Sequence, residues 1–275
     1  MVFTVQLAYN MRGSLVLLLL LGFGCSKSKS YEKVRIYGHA ATGLENVASV
    51  YHDNTIEAVN LVLSMQGSDG VEVDVHLSAD GDLWLYHDTH LESETNLTGC
   101  IPEISSEVLK TGKYSSLHQE KIARLSEIDT NYLQGKELIL DLRHYNECLG
   151  EFVNVDHIID RLVDIGYLSA KGYTVLVNVS RKEWVKPFIE AGFHAVLSIY
   201  SMAEFTYAES VYPGIYGYIM KNSDVTAENV KAIQQSGKKL FIFEVRSPKM
   251  TREALRKAPD GILSDDLRTA IIEKY

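Results

Sequence analysis

The chain has 275 residues, 46% hydrophobic and 23% charged, which excludes an intrinsically disordered polypeptide and suits one (β/α)₈ barrel better than two small domains. Its 36 acidic against 27 basic residues give a formal net charge of −9. No basic block occurs, so nucleic acid is not an expected partner, whereas a mild acidic excess fits a site that gathers carboxylates around a cation.

In chain order, Arg12 precedes a short apolar run, Leu15-Val-Leu-Leu-Leu-Leu-Leu21, too short to span a bilayer but of the length of an export-signal core. Gly22 and Gly24 supply small residues at a cleavage point, and Cys25 is followed by the polar Ser-Lys-Ser-Lys-Ser. This stretch resembles a bacterial lipoprotein signal, whose cysteine is acylated after the cut. Residues 1–25 are therefore expected to be a signal cut before Cys25, 26–33 a polar tether, and 34–275 one barrel domain. Met11 is an alternative start, and cleavage without lipidation is the competing reading. On the first, the protein is exported and held to a bacterial membrane through Cys25; no protein partner is expected. Cys100 and Cys148 match no zinc spacing. They read as two lone thiols or, in an oxidising compartment, as a bridge.

From Val34 onward, apolar β-rich runs alternate with helical patterns, the signature of βαβ units. Strands are predicted at 34–40, 70–76, 137–144, 174–180, 195–201, 216–220, 239–245 and 261–265. Helices are predicted at 54–66, 155–165, 182–191, 226–236 and 251–258, among others. Several strands are near-continuous Val/Ile/Leu runs, as expected when both faces are buried. Between the second and third strands the Asp80-Gly81-Asp82 turn predicts a hairpin back into 83–87, and the polar remainder to Ser126 reads as a segment inserted over one end of the barrel.

The segment Val71-Glu72-Val73-Asp74-Val75-His76 alternates strictly, so Glu72, Asp74 and His76 share one face. That face is either exposed or, in a barrel, interior. Two buried carboxylates side by side repel, and a hard divalent cation resolves the repulsion. Asp141, after Leu138-Ile139-Leu140, supplies a third carboxylate with Arg143 on the same face; taken alone, the two read as an ion pair. His39 closes the first strand and His87 closes the hairpin, each positioned to give or take a proton beside those carboxylates. Arg181, Lys221, Glu244 and Arg246 lie near later strand ends, facing either substrate or solvent.

Together these residues resemble the glycerophosphodiester phosphodiesterase family. The matches are Gly38-His39, Asn54-Thr55, Gly70-Val-Glu72-Val-Asp74-Val75, Ser78-Ala-Asp80-Gly81, His87-Asp88, Asp141-Leu-Arg143 and the closing Asp260-Gly-Ile-Leu-Ser-Asp265. The resemblance implies a (β/α)₈ TIM barrel that hydrolyses a small phosphodiester, with sn-glycerol 3-phosphate as a product. It implies one divalent cation, Mg²⁺ or Ca²⁺, on Glu72, Asp74 and Asp141, with His39 and His87 as the acid/base pair. Arg143 and Asn54 are the expected phosphate contacts. The chain departs from the family pattern at Ala40, where an arginine is usual, at His52-Asp53 in place of Pro-Glu, at the shorter Asp141, and at Arg143 for lysine. Two alternatives stay open: a phospholipase-type enzyme forming a cyclic phosphate, and a lipoprotein that kept the pocket but lost turnover.

Overall fold

The computed structural model describes residues 31–275 apart from Glu45 and Val47. Cys25 and the expected signal and tether up to residue 30 lie outside the described residues. Residues Tyr31–Lys274 form one unit. Eight parallel strands build it, all at expected positions: β1 (Arg35–Gly38), β2 (Gly70–Leu77), β3 (Glu137–Leu142), β4 (Thr174–Val179), β5 (His194–Ser198), β6 (Gly217–Lys221), β7 (Lys239–Val245) and β8 (Gly261–Ser264). Sequential strands are neighbours, and β1 pairs with both β8 (Tyr37 opposite Leu263) and β2 (Tyr37 opposite Gly70), which closes the barrel. Gly70 permits the seam between β2 and β3: a Cβ there would meet the Glu137 carbonyl oxygen at 2.0 Å.

Strand alternation sorts the side chains into two cores. Val71, Val73 and Val75 pack outward with Ala58, Val59 and Val62. The barrel interior is plugged by Tyr37, Ile139, Leu176, Val196, Ile219, Phe241 and Leu263. The inner face of β2 above that plug is left to Glu72 and Asp74, which are 2% and 3% exposed, so the interior reading of that face is the correct one.

Helices α1 (Ile56–Ser64), α2 (Val155–Asp164), α3 (Lys182–Glu190), α5 (Ala227–Gln235) and α6 (Pro248–Lys257) match expectation, and α4 (Met202–Val211) and α7 (Leu267–Lys274) complete the ring. Helix α1 begins where Thr55 caps it, the hydroxyl accepting from the Ala58 amide at 3.2 Å. The connection after β2 carries no full barrel helix, only a single α-helical turn at Ser106–Leu109. A strand at Leu83–Leu85 turns back antiparallel on β2 (His76 opposite Trp84), and a second strand, Ala123–Arg124, pairs with that one. The inserted segment has its own small core of Trp84, Tyr86, Leu91, Ile101, Leu109, Tyr114 and Ile122. Cys100 in this segment is bridged to Cys148, next to the hairpin of Tyr145–Asn146 with Glu151–Phe152. Among the described residues, no helix is long and apolar enough to cross a membrane.

Candidate active site

The carboxyl ends of the barrel strands open into a cavity of about 390 Å³, lined by His39, Glu72, Asp74, His87, Asp141 and Arg143 among others. This is the face of a (β/α)₈ barrel where strand ends and βα loops can converge on one ligand. Six of the eight residues singled out from the sequence therefore meet in one place. Cys25 is not described, and Asn54 is set back. Its side chain is fully buried, Nδ2 donating to Asp74 Oδ2 at 2.8 Å while Oδ1 accepts from the Asp74 amide at 2.9 Å. The expected phosphate contact from Asn54 is thus corrected to a hold on Asp74, because both ends of its amide are already used.

Glu72, Asp74 and Asp141 each offer an oxygen within 4.8 Å of the other two. Burial and the Asp74 charge push the Glu72 carboxyl up to about 8. Burial also raises Asp141, with Arg143 opposing. At Asp74 burial works against ionisation, but Arg143, His87 and Asn54 outweigh it and hold the carboxyl below its ordinary range. The Arg143 guanidinium hydrogen-bonds Asp74 and lies 3.6 Å from Asp141 Oδ2. Three carboxylates share one guanidinium, and the raised Glu72 and Asp141 carboxyls show that mutual repulsion and burial keep the trio from its full charge unaided. An all-oxygen donor set of this kind fits a hard divalent cation. The shorter Asp141 still reaches the group, steadied by Asn178, whose amide donates to it at 2.8 Å.

Each histidine is gripped by its own carboxylate. His39 Nδ1 lies 2.6 Å from Asp265 Oδ1, and His87 Nδ1 lies 2.8 Å from Asp88 Oδ1. With Nδ1 engaged, Nε2 is the free nitrogen of each ring, and that of His39 sits 3.9 Å from Glu72 Oε2. Burial opposes charge on His39, but the hydrogen bond to Asp265 and the charges of Glu72, Asp265 and Asp74 overcome it and hold the imidazolium up to about 9. Asp265 also accepts from the Leu44 amide at 3.2 Å and faces Arg246 Nε at 3.3 Å. Its partnership with His39 was hidden in the sequence because 226 positions separate the two. The legible signal was that Asp265, like His39, directly follows a barrel strand.

The turn after β1 carries Ala40 and Ala41 at φ of 44° and 68°, left-handed backbone for residues with a Cβ. This turn brings the Ala40 amide to Glu72 Oε2 at 2.6 Å. Of the later cationic residues, Lys221 and Arg246 line the cavity, as does Glu244, which pairs with Lys221 at 3.0 Å. Arg181 instead stacks over Phe152, 3.5 Å from the ring centroid.

A closed (β/α)₈ barrel with three carboxylates and two aspartate-held histidines at its carboxyl face defines a class of hydrolytic scaffold. The profile of the glycerophosphoryl diester phosphodiesterase family matches residues 46–269, and the chain belongs to that family, a family of phosphoric diester hydrolases. It is 25% identical over 224 residues to the glycerophosphodiester phosphodiesterase of Bacillus altitudinis, covering 78% of this chain and 89% of that one. A second enzyme of the same name, from Caldanaerobacter subterraneus subsp. tengcongensis, is 25% identical over 235 residues, covering 80% and 90%. Among solved structures, an Oleispira antarctica phosphodiesterase in complex with the product sn-glycerol-3-phosphate superposes with a TM-score of 0.73 at 19% identity, covering 87% of this chain and 96% of that one. The glycerophosphodiester phosphodiesterase of Thermotoga maritima gives 0.67 at 20% identity, covering 87% and 96%.

Proposed function

We propose that the protein hydrolyses a glycerophosphodiester to an alcohol and sn-glycerol 3-phosphate, with Glu72, Asp74 and Asp141 holding one Mg²⁺ or Ca²⁺ and with His39 and His87 exchanging protons. The observation that carries this reading is the meeting of two aspartate-held histidines with a carboxylate trio on one cavity. The cation, when bound, polarises the phosphoryl oxygens as a Lewis acid. The histidines do the rest. One ring takes a proton from water through Nε2 as the water oxygen bonds to phosphorus. The other gives a proton to the departing alkoxide as the P–O ester bond breaks. Asp265 and Asp88 keep each Nδ1 engaged, so that proton exchange is confined to Nε2. Arg143, Lys221 and Arg246 supply positive charge to the phosphate where Ala40 offers none.

The test is hydrolysis of a phosphodiester panel by the purified protein with Mg²⁺, Ca²⁺ or EDTA. Turnover should require the cation and fall by about 10²–10⁴-fold in His39→Ala and in His87→Ala. Turnover undiminished by either substitution overturns the assignment of roles. The same reading includes export and anchorage through an acylated Cys25, ahead of a single catalytic domain from residue 34. The Cys100–Cys148 bridge supports an oxidising compartment. Fatty-acid labelling should mark the protein but not its Cys25→Ala variant; equal labelling overturns the anchor.

A further inference from the structure

The inserted segment meets the loop between β1 and α1 at a second group of ligating side chains. His52, Asp53 and Glu94 each offer an atom within 4.8 Å of the other two. The group has different chemistry from the catalytic trio, because one donor is an imidazole nitrogen. His52 and Asp53 are also the two residues that stand where the family has Pro-Glu, so the imidazole is a feature of this chain. We infer that His52, Asp53 and Glu94 form a zinc-class cation site that staples the inserted segment to the β1–α1 loop.

Four observations carry the inference. First, His52 Nδ1 lies 3.2 Å from the Asp53 carbonyl oxygen and 3.5 Å from Asp53 Oδ1, so the ring is held on its Nδ1 side and turns Nε2 toward Glu94. Metal-bound histidines are oriented by such a bond on the far nitrogen. Second, Nε2 lies 3.8 Å from Glu94 Oε1, too far for a hydrogen bond. Tetrahedral zinc with bonds near 2.1 Å sets its ligand atoms about 3.4 Å apart, so the gap is near the one a shared cation requires. Third, Glu94 Oε2 is buried with no hydrogen-bond partner. Fourth, Tyr114 stacks on the His52 ring at a centroid distance of 4.0 Å and is 1% exposed, yet its hydroxyl has no hydrogen-bond partner. That hydroxyl is buried beside Asp53 and Glu94, whose charges add to burial in raising its pKa. A buried orphan hydroxyl and a buried orphan carboxylate oxygen at one place call for a bound group that neither side chain supplies. A cation with water in its remaining position provides it.

The ligand set selects the metal. One imidazole with two carboxylates favours Zn²⁺ over Mg²⁺ or Ca²⁺, whereas the all-oxygen trio of Glu72, Asp74 and Asp141 has the opposite preference. The two sites can therefore be addressed separately. A third grouping, His90 with Cys100 and Cys148, offers no thiolate, because the two cysteines are bridged to each other.

The experiment is equilibrium dialysis of the full-length protein against micromolar Zn²⁺ in excess Mg²⁺, with bound zinc measured by mass spectrometry. One equivalent should be retained by the native protein and by Glu72→Gln, and zinc affinity should fall at least tenfold in Glu94→Gln and in His52→Gln. Zinc should also raise the melting temperature of the native protein but not of Glu94→Gln. X-ray absorption at the zinc edge of the native protein, which needs no variant, should show imidazole scattering. Equal zinc in native and Glu94→Gln proteins, loss of zinc in Glu72→Gln, no retained zinc, or an edge spectrum without imidazole overturns the site.

Discussion

At the scale of single residues, two side chains outside the catalytic trio have consequences that can be measured. Asp265 hydrogen-bonds His39 at 2.6 Å and faces the exposed Arg246 at 3.3 Å, so its loss should act chiefly on proton transfer through His39. Asp265→Asn should lower kcat by about 10²-fold with KM nearly unchanged, read from steady-state kinetics. A change confined to KM would show that Asp265 serves binding instead. His76 is 4% exposed, with neither ring nitrogen hydrogen-bonded. Burial, aided by the Arg143 charge, lowers its pKa from 6.5 to about 3. A base depressed in this way is neutral in the fold and protonated in the unfolded chain between those limits. Its stabilising contribution is complete above about pH 6.5 and is lost as pH falls toward 3. Urea titrations at pH 7.5 and 4.5 should show a smaller acid loss for His76→Leu than for the native protein. Equal losses would mean that His76 titrates normally.

At the scale of elements, the eight strands were legible because burial on both faces leaves near-continuous apolar runs, and β2 was legible because its inner face is polar. Helices α4 and α7 were not. Helix α4 buries only Ala208, and α7 buries Leu267, Ala270 and Lys274, too little apolar contrast to mark a stripe. Helix α6 ends on exposed Ala258 at φ 56°, a left-handed position that favours glycine. Ala258→Gly should stabilise the protein by about 0.5–1 kcal/mol in thermal or chemical unfolding, because no buried contact is lost in exchange. The Cys100–Cys148 bridge spans 48 residues and ties the inserted segment, which bears His87, to the loop after the strand that bears Asp141. Chain-entropy reasoning gives about 4 kcal/mol for a loop of this length. Chemical denaturation of the double variant Cys100→Ala/Cys148→Ala should show most of that loss; an unchanged midpoint would mean that the segment is held without the bridge.

At the scale of the whole molecule, the barrel brings together residues from β1, β2, the hairpin and β3 that the sequence places more than a hundred positions apart. His39, Glu72, Asp74, His87, Asp141 and Arg143 were readable in advance because each ends a strand or alternates along one. Asn54 was misread, since only tertiary packing shows that its amide is used up by Asp74. Asp265 went unassigned because its partner lies across the seam where β8 meets β1. The grouping of His52 and Asp53 with Glu94 depends on how the inserted segment folds back, which no local pattern encodes. The central claim is phosphodiester hydrolysis at the cation-binding trio, and ³¹P spectroscopy of a glycerophosphodiester incubated with the native protein tests it most directly. With Mg²⁺ or Ca²⁺ the diester resonance should give way to that of glycerol 3-phosphate, and it should persist in EDTA or with Glu72→Gln. Conversion undiminished in EDTA and in Glu72→Gln, or no conversion with either cation, would contradict the account.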